Sequence, residues 1–550
     1  MIPKIVTTVK DLNLQLGAIS QARWVVLGKE LFKAKHLQEV EKVYPGRSLD
    51  EFSLNIRDDA THTIKQLFSE VSKQDKNRLF PLTAGVPLSI DGWNDIEIIV
   101  SAMLYLKGHS GLIILSPSSG AKMRLATLFI GRPRIYFPPF LLAGRFLRAL
   151  LRVVLAPRLP KSSGSSIWIS VSSFLQLGCA DPYYARWPWL SQKRFLRIYM
   201  EGGKRLKLKG NEEQLPLESL IKCADLWFVL KNVWVAMRQI RTWPADTFIR
   251  RLIKLLCFEQ ISNGEVFTLA LQRQAWKNMA EVLQPSFIVI PYEGRAWEME
   301  LLNIAHQAGI RTVGYQHSSL TPRHLALLDG SRQMDLSYTP DVIITCGEIT
   351  ARRLIEARPI LEHRIHIGAA LRSAAASSSN PGDAILVALS SSRQEALAMF
   401  QFFSEAHRLG LSARVIFRAH PTIPVNDLFT LFEWPETVTL SSKYSLDKDL
   451  TDSWCVAYSS ATVVLEGMRI GRIPMYIDIG EVLSGDPLEE VTWKLVANSP
   501  KKLKEFAESY SRNPKKFLEI QGHATKYAEQ YLIVPSNNRL AEMSSLLNNP

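Results

Sequence analysis

The feature that constrains this chain most is a repeated alternation of short apolar segments with stretches of helical length. The first run includes the apolar segments Phe287–Pro291 and Asp341–Thr345, with helix-like sequence between them. After a break at 374–382, which is rich in small and turn-forming residues, the alternation begins again at Ala384–Leu389. Short continuous apolar strands separated by helices indicate parallel sheets that helices cover on both faces. The sequence therefore predicts an α/β protein with two Rossmann-like units.

At 550 residues the chain is too long for a single hydrophobic core. A Ser- and Gly-rich stretch at Lys161–Ser166 is typical of a linker, and the break at 374–382 is interpreted as an interdomain hinge. The predicted segments are an N-terminal α/β accessory region at 1–162, a first Rossmann-like domain at 163–373, a second at 374–535 and a tail at 536–550.

Composition indicates a folded protein in a reducing compartment. Hydrophobic residues make up 47% and charged residues 21% of the chain, as in globular proteins. The five cysteines lie far apart, with no CxxC pair and no His cluster at metal-ligand spacing. The first residues lack the pattern of a secretory signal, and no segment reads as a transmembrane helix. We therefore predict a cytoplasmic protein that needs no metal and no cofactor.

The net charge of +14 favours an anionic partner. The apolar segment Phe140–Ala156 is interrupted by arginines that share one helical face, while apolar residues occupy the other. This pattern fits either a helix in a membrane surface or a core helix that exposes its basic face. The arginines are Arg145, Arg148 and Arg152, and the apolar residues are Phe146, Leu150, Val153 and Val154.

A second basic stretch runs from Lys193 to Lys209, and neither stretch carries a nucleic-acid-binding signature. We therefore predict peripheral association with the anionic inner face of the cytoplasmic membrane, and no nucleic-acid partner.

Ligands of open parallel sheets bind at the carboxyl ends of strands, so polar residues that follow a strand are candidate site residues. One such place is Tyr458–Thr462, where hydroxyl groups lie between a strand and a helix. Ser459, Ser460 and Thr462 can bind a phosphate together with free backbone N–H groups, or can simply cap the helix. A second is Arg418-Ala419-His420-Pro421, where a protonated His420 can neutralise a phosphate leaving group.

Two further strand ends lie in the first unit. Glu293 stands in Tyr292-Glu293-Gly294, where Gly294 allows the backbone to turn closely around a ligand. A capping role at the next helix is the alternative for Glu293. His317 follows the next strand, in Tyr315-Gln316-His317.

The segment from Leu465 to Pro474, read L-E-G-M-x-x-G-x-I-P, resembles the nucleotide-binding helix of GT-B glycosyltransferases. The resemblance implies that Glu466 binds the donor ribose. Many retaining members carry a glutamate at the position that Tyr458 occupies here, so the chain departs from them. His420-Pro421 followed by Ser459-Ser460 resembles the donor-binding pair of bacterial sialyl-, polysialyl- and Kdo-type transferases, which use CMP-activated acidic sugars.

The resemblance implies a GT-B fold and a nucleotide-sugar donor. It also implies that the CMP phosphate is bound by His420, Pro421, Ser459, Ser460 and Thr462, and that Arg418 assists. Tyr292-Glu293-Gly294 partly matches the motif that holds the general base of these transferases, which makes Glu293 the expected base. His317 is the rival base, since glycerophosphate transferases of teichoic-acid synthesis place a catalytic histidine in their first domain.

The expected reaction is transfer of an ulosonic or nonulosonic acid, by inversion or retention, to a lipid-linked glycan of lipopolysaccharide, capsule or O-antigen. The alternatives are a CDP-glycerol-type glycerophosphotransferase and a non-catalytic scaffold of a polysaccharide assembly complex.

Overall fold

The computed structural model describes residues 139–156, 212–243, 246–262, 264–328, 336–371, 380–421, 423–441, 445–479 and 484–548, together with short strands and a few single residues elsewhere. The predicted linker at Lys161–Ser166 and residues 374–379 of the predicted hinge lie outside the described residues.

The strands are β1 Lys4–Val6, β2 Trp24–Val26, β3 Ile113–Leu115, β4 Trp168–Ser172, β5 Phe195–Tyr199, β6 Leu206–Lys207, β7 Glu212–Pro216, β8 Phe287–Pro291, β9 Arg311–Gln316, β10 Val342–Thr345, β11 Ile365–Ile367, β12 Ala384–Ala388, β13 Val415–Arg418, β14 Val438–Ser441, β15 Ser453–Tyr458, β16 Ile473–Ile477 and β17 Leu495–Ala497.

The α-helices are α1 Pro139–Leu155, α2 Asp225–Thr242, α3 Phe248–Ser262, α4 Glu265–Val282, α5 Ala296–Gln307, α6 Leu325–Leu328, α7 Glu348–Ala357, α8 Arg393–Arg408, α9 Asn426–Phe429, α10 Leu446–Thr451, α11 Val463–Arg469, α12 Pro500–Arg512, α13 Leu518–Tyr531 and α14 Asn537–Asn548.

The C-terminal sheet has six parallel strands in the order β14-β13-β12-β15-β16-β17. Every residue of β12, β15 and β16 is buried, because helices cover both faces of the sheet. The chain starts at β12, winds outward to β14, and then returns to β15 on the other side of β12. This is the doubly wound Rossmann order, and its topological switch point lies between β12 and β15.

The larger sheet has the order β11-β10-β9-β8-β4-β5-β7-β6, and all of its neighbours pair in parallel except β6 with β7. It is also doubly wound, since the chain moves outward from β4 and then returns to β8 on the other side. Its switch point lies between β4 and β8. The structure therefore confirms the predicted α/β fold with two Rossmann-like domains. The short strands β1, β3 and β2 form a separate parallel sheet.

Two helices near the C-terminus connect the domains. Helix α13 packs across both units, against α11 of the second domain and α7 of the first. The segment predicted as a tail at 536–550 contains α14, whose Leu540 and Met543 lie in the core beneath the first sheet. The Trp187 indole donates to Ser544 of this helix at 3.3 Å. The C-terminus is therefore an integral part of the first domain.

Helix α1 faces the protein with its apolar side, as the core-helix interpretation predicted. Phe146, Leu150 and Val153 pack into the core of the first domain. Of the arginines, Arg145 pairs with Glu265 at 3.3 Å and Arg152 with Glu218 at 3.4 Å. The core-helix interpretation is therefore correct, but the arginine face is only partly exposed. Sequence distance explains the error, because both acidic partners lie more than sixty residues away.

In the second basic stretch, the Arg197 side chain is buried within β5. In the described part of the chain, no helix combines the length and apolar character that a membrane crossing requires.

Candidate functional site

The switch point of the second sheet brings together two serine-rich strand ends. Tyr458 ends β15 and is followed by Ser459 and Ser460, while β12 is followed by Ser390–Ser392 and then by α8. Because β12 and β15 are adjacent, these loops border the same crevice, where nucleotides bind in doubly wound sheets. The loop at Ser459 and Ser460 was predicted from the sequence. The loop at Ser390–Ser392 was not, although it too places hydroxyl side chains between a strand and a helix.

Within the described residues, Ser459 and Ser460 have different environments. Ser459 is fully buried, and its Oγ has no hydrogen-bond partner there. Ser460 Oγ donates to Glu395 Oε2 at 2.6 Å. Glu395 lies in the first turn of α8 and is itself buried. This buried carboxylate was not identified from the sequence. It ties the loop after β15 to the helix after β12, so the two sides of the crevice are joined.

The two domains meet at this edge. Thr462 Oγ1 lies 3.1 Å from Ser319 Oγ, which follows β9 of the first domain. Arg323 of the first domain lies 3.9 Å from Glu395. Gly485 fits closely against both sides, since a Cβ there would overlap Ser460 and press on Arg323. The carboxyl edges of the two sheets therefore face one another, as the GT-B prediction required.

Tyr458 at the end of β15 and Glu466 on α11 are held by contacts inside the second domain. Tyr458 is fully buried and donates its hydroxyl to Asp486 at 2.9 Å. Burial and the neighbouring Asp486 carboxylate raise the Tyr458 pKa well above its ordinary value. Glu466 lies on α11 with its side chain 30% exposed, 3.3 Å from Arg469. Tyr458 is therefore a neutral structural residue, whereas Glu466 keeps a carboxylate accessible to a ligand.

The strand end after β13 contains the other predicted donor ligands. Arg418 forms an ion pair with buried Asp449 at 2.5 Å, and Ser441 also donates to that carboxylate. This contact directs Arg418 toward the protein, so the geometry supports a structural role for it. His420 is half-buried and Pro421 is exposed. Since β12 lies between β13 and β15, the ends of those two strands are two strand spacings, about 10 Å, apart.

In the first domain, the two rival bases lie side by side. Glu293 follows β8 and His317 follows β9, and these strands are neighbours in the sheet. Glu293 Oε1 lies 3.3 Å from His317 Nε2, and Glu293 Oε2 accepts a hydrogen bond from Arg295 Nε at 2.6 Å. Their side chains are 12% and 3% exposed, respectively. The sequence presented them as alternatives, and the structure joins them as one pair.

The electrostatics of this pair distinguish its members. Burial by itself would raise the Glu293 pKa, but His317 and Arg295 oppose it and hold the pKa below the ordinary value. Glu293 is therefore an ionised carboxylate that orients the imidazole and is a weak proton acceptor. Imidazole is the side chain suited to accept a proton near neutral pH. Tyr183 packs edge-on against the His317 ring, with centroids 4.3 Å apart.

A second histidine lies near the pair and was not identified from the sequence. His324 accepts a hydrogen bond from the Thr321 backbone N–H at Nδ1, at 3.0 Å. Burial lowers the His324 pKa to about 4, so the ring is neutral at pH 7. The Thr321 hydroxyl and carbonyl oxygens also lie within 3.2 Å of Nδ1, so Thr321 occupies this ring nitrogen and Nε2 is the one directed elsewhere. His324 therefore suits hydrogen bonding to a ligand and does not compete with His317 as a base.

The loop that carries Glu293 is shaped by a buried carboxylate. Glu298 Oε2 accepts hydrogen bonds from the backbone N–H groups of Glu293, Gly294 and Arg295 at 2.9, 2.8 and 3.2 Å. Gly294 adopts a φ of 78°, a left-handed conformation that glycine accommodates without strain. Glu298 was missed in the sequence, although a glutamate at the third position of a helix is a capping signal.

Burial, followed by the nearby Glu293 charge, raises the Glu298 pKa from 4.5 to about 8. Between these values the folded state retains a proton that the unfolded state has released, so this group stabilises the fold less as pH rises. We expect Glu298→Gln to gain stability relative to the wild type between pH 5 and pH 8, by up to about 1.4 kcal/mol per pH unit. Urea unfolding at both pH values measures this, with exposed Glu519→Gln as the control. If the free energy of unfolding changed equally with pH in the wild type and in Glu298→Gln, the expectation would be contradicted.

Among the described residues, no group of three or more His, Cys, Asp or Glu side chains is arranged to hold a metal ion. The charged groups at the facing edges include the Glu293, Arg295 and His317 set and the Arg323 and Glu395 pair.

No protein-family model matches the sequence, and no curated protein matches it significantly. Several solved structures have a similar arrangement. Alr3699/HepE from Anabaena, in complex with UDP and glucose, is 11% identical with a TM-score of 0.40 over 70% of this chain and 100% of that chain. The UDP-GlcNAc 2-epimerase from Neisseria meningitidis, bound to UDP-GlcNAc, is 10% identical with a TM-score of 0.39 over 70% and 100%.

The glycosyltransferase SnogD from Streptomyces nogalater is 12% identical with a TM-score of 0.41 over 70% of this chain and 99% of that chain. Values this low carry no argument about donor or reaction. The fold assignment depends on the strand order of the two sheets, and the chemistry depends on the residues at their facing edges.

Proposed function

We propose that the protein is a glycosyltransferase that moves a sugar from a nucleotide donor to a hydroxyl group of a lipid-linked surface glycan. The observation that carries the proposal is the Glu293–His317 pair, which lies at the carboxyl edge of one doubly wound sheet. This edge contacts the second domain through Ser319 and Thr462. A base on one side of a cleft and a phosphate site on the other are the two groups that sugar transfer requires.

In this proposal His317 accepts the proton of the acceptor hydroxyl, while Glu293 holds the imidazole through Nε2. The acceptor oxygen forms a bond to the anomeric carbon, and the bond from that carbon to the phosphate oxygen breaks. The bonding electrons leave with the nucleotide. Nε2 is directed at Glu293, so we assign the proton to His317 Nδ1. This atom is buried in the structure, and the acceptor has to displace the side chains that cover it.

The donor is proposed to bind in the crevice between the ends of β12 and β15. Its phosphate meets the loop Ser459–Thr462 and the half-buried His420, and its ribose meets the accessible carboxylate of Glu466. His420 and the serine loop flank the crevice from opposite sides, which supports a shared phosphate ligand. We propose a CMP-linked acidic sugar as the donor because the His-Pro and Ser-Ser pair lies at this crevice.

The second candidate is a transferase that moves glycerophosphate from CDP-glycerol. The Glu293–His317 pair favours this candidate too. The lowered pKa of Glu293 leaves His317 as the better base, and the glycerophosphate transferases use a catalytic histidine in their first domain.

A thermal-shift comparison tests the proposed donor, since a ligand that binds the folded state stabilises it by mass action. We expect CMP and a CMP-linked acidic sugar to raise the melting temperature, and UDP and GDP to have no effect. A larger shift with CDP-glycerol than with the CMP-sugar would favour the second candidate. A shift with UDP alone would contradict the CMP proposal.

A further inference from the structure

Helix α2 exposes a row of aromatic and basic side chains. Trp227, Lys231, Trp234, Arg238 and Arg241 are spaced four and three residues apart, so they lie along one side of the helix. All five are exposed, and the two tryptophans retain 75% and 55% of their accessible surface. We call this row, together with the neighbouring Phe228 at 56%, the aromatic-basic face.

The aromatic-basic face takes no part in the core. The opposite side of α2 packs into the first domain through Leu226, Val229, Val233 and Ile240. Exposed tryptophan is costly in water, and a cluster of such side chains marks an interaction surface. Among the described residues this row has no covering element, so it is a candidate surface for a binding partner.

The charge of the face indicates an anionic partner. Lys231, Arg238 and Arg241 are exposed, and the Arg238 guanidinium lies over the Trp234 ring at 5.7 Å. Asp225 is the only acidic residue of α2, and it is buried, where it accepts hydrogen bonds from the Lys222 backbone and from Asn278. All charged side chains on the exposed side of α2 are therefore cationic.

Helix α1 adds aliphatic surface to the same domain. Leu147, Leu151 and Leu155 repeat every four residues and are 65%, 58% and 72% exposed, next to exposed Arg148. The helix is joined through Arg152 to Glu218, seven residues before α2 begins. Aliphatic side chains insert among acyl chains but offer no stacking surface to nucleic-acid bases, whereas tryptophan is enriched at the membrane interface.

We propose that the aromatic-basic face of α2, with the exposed leucines of α1, docks the first domain onto an anionic phospholipid bilayer. This inference rests on the proposed function for its purpose, since a lipid-linked acceptor would lie in the same bilayer. It assigns membrane contact to α2 and to the leucine side of α1, and not to the apolar face of α1 that lies in the core.

Co-sedimentation with vesicles tests the proposal. The full chain is mixed with vesicles of equal parts phosphatidylglycerol and phosphatidylcholine, or of phosphatidylcholine alone. We expect binding to the anionic vesicles and at least tenfold weaker partitioning for Trp227→Ala/Trp234→Ala. The matched control is Leu518→Ala, which shortens an exposed side chain on the second domain.

The charge contribution has its own matched pair. Lys231→Glu/Arg238→Glu/Arg241→Glu is expected to lose binding at least tenfold, because each basic residue near an anionic surface contributes to attraction. The control Lys501→Glu/Lys515→Glu/Lys526→Glu changes the net charge equally at exposed positions of the second domain. Equal loss in both triple variants would overturn the proposal, since the attraction would then follow net charge alone.

Three other results would also overturn it. The first is that the wild type does not bind anionic vesicles. The second is that the α2 variants lose binding to single-stranded RNA but still bind vesicles. The third is that the wild type self-associates and the α2 variants do not. The CMP-induced thermal shift of each variant separates this inference from the proposed function. Vesicle binding without a CMP-induced thermal shift would contradict the proposed function and leave the docking surface intact. A CMP-induced thermal shift without vesicle binding would contradict the docking surface and leave the proposed function intact.

Discussion

Replacing His317 with alanine is expected to lower the rate of nucleotide release from the donor in the presence of acceptor by about 10²- to 10⁴-fold. The reason is that the imidazole takes the acceptor proton, and the ionised Glu293 beside it is a weak substitute. Nucleotide affinity should be unchanged, because the donor crevice belongs to the other domain. Steady-state kinetics together with calorimetric titration of CMP measure both quantities.

Glu293→Gln is the informative companion, because glutamine retains the size of the side chain but not its charge. We expect a smaller loss of turnover than in His317→Ala, together with an altered pH profile, since the imidazole loses the anion that orients it. Glu519→Gln makes the same substitution at an exposed position of the second domain and is the control. Full activity of His317→Ala, combined with loss in Glu293→Gln, would make Glu293 the base and contradict our assignment.

The second large effect is expected at Gly347, where β10 ends and α7 begins. A Cβ at this position would overlap the backbone carbonyl oxygens of Gln530 and Tyr531 at the end of α13. That junction is held by hydrogen bonds, including Ile533 N–H to the Cys346 carbonyl at 3.0 Å. Gly347→Ala should therefore cost about 3 kcal/mol and lower the melting temperature by roughly 6–12 °C.

Gly522→Ala is the matched control, since it lies within α13 and a Cβ there meets nothing within 4 Å. Alanine is the better helix former, so this variant should gain about 0.5–1 kcal/mol. Calorimetric melting of the two variants makes the comparison. If Gly347→Ala melted with the wild type, the close junction between β10 and α13 described here would be wrong.

The fold was predictable because its signal is local. Apolar strands such as Ala384–Ala388 and Ser453–Tyr458 differ in period and length from the helices between them. The rule that ligands bind at strand ends then placed Glu293, His317 and Ser459 at one edge of each sheet. That rule needs only the position of each strand along the chain, which the sequence provides.

Side-chain partners were not predictable, because they depend on which strands become neighbours. Glu293 and His317 were treated as rivals, and only the pairing of β8 with β9 joins them. Glu395 reaches Ser460 across 65 residues of sequence, a contact that no spacing pattern encodes.

Helix α1 illustrates a different limit. An amphipathic pattern shows that two faces differ, but the pattern does not specify which face meets the core. Arg145 and Arg152 face the protein because Glu265 and Glu218 lie there, and the leucine side remains exposed. The sequence therefore left the membrane-surface and core-helix interpretations open, and the structure supports the second.

The central claim is that a nucleotide donor binds between the carboxyl edges of the two sheets. Amide hydrogen exchange, measured by mass spectrometry with and without saturating CMP, tests it most directly, because bound ligand slows local opening. We predict protection of Ser459–Glu466, of the loop at Ser390–Ser392 and of the strand end at His420. Protection confined to other segments, or none despite binding, would contradict the account.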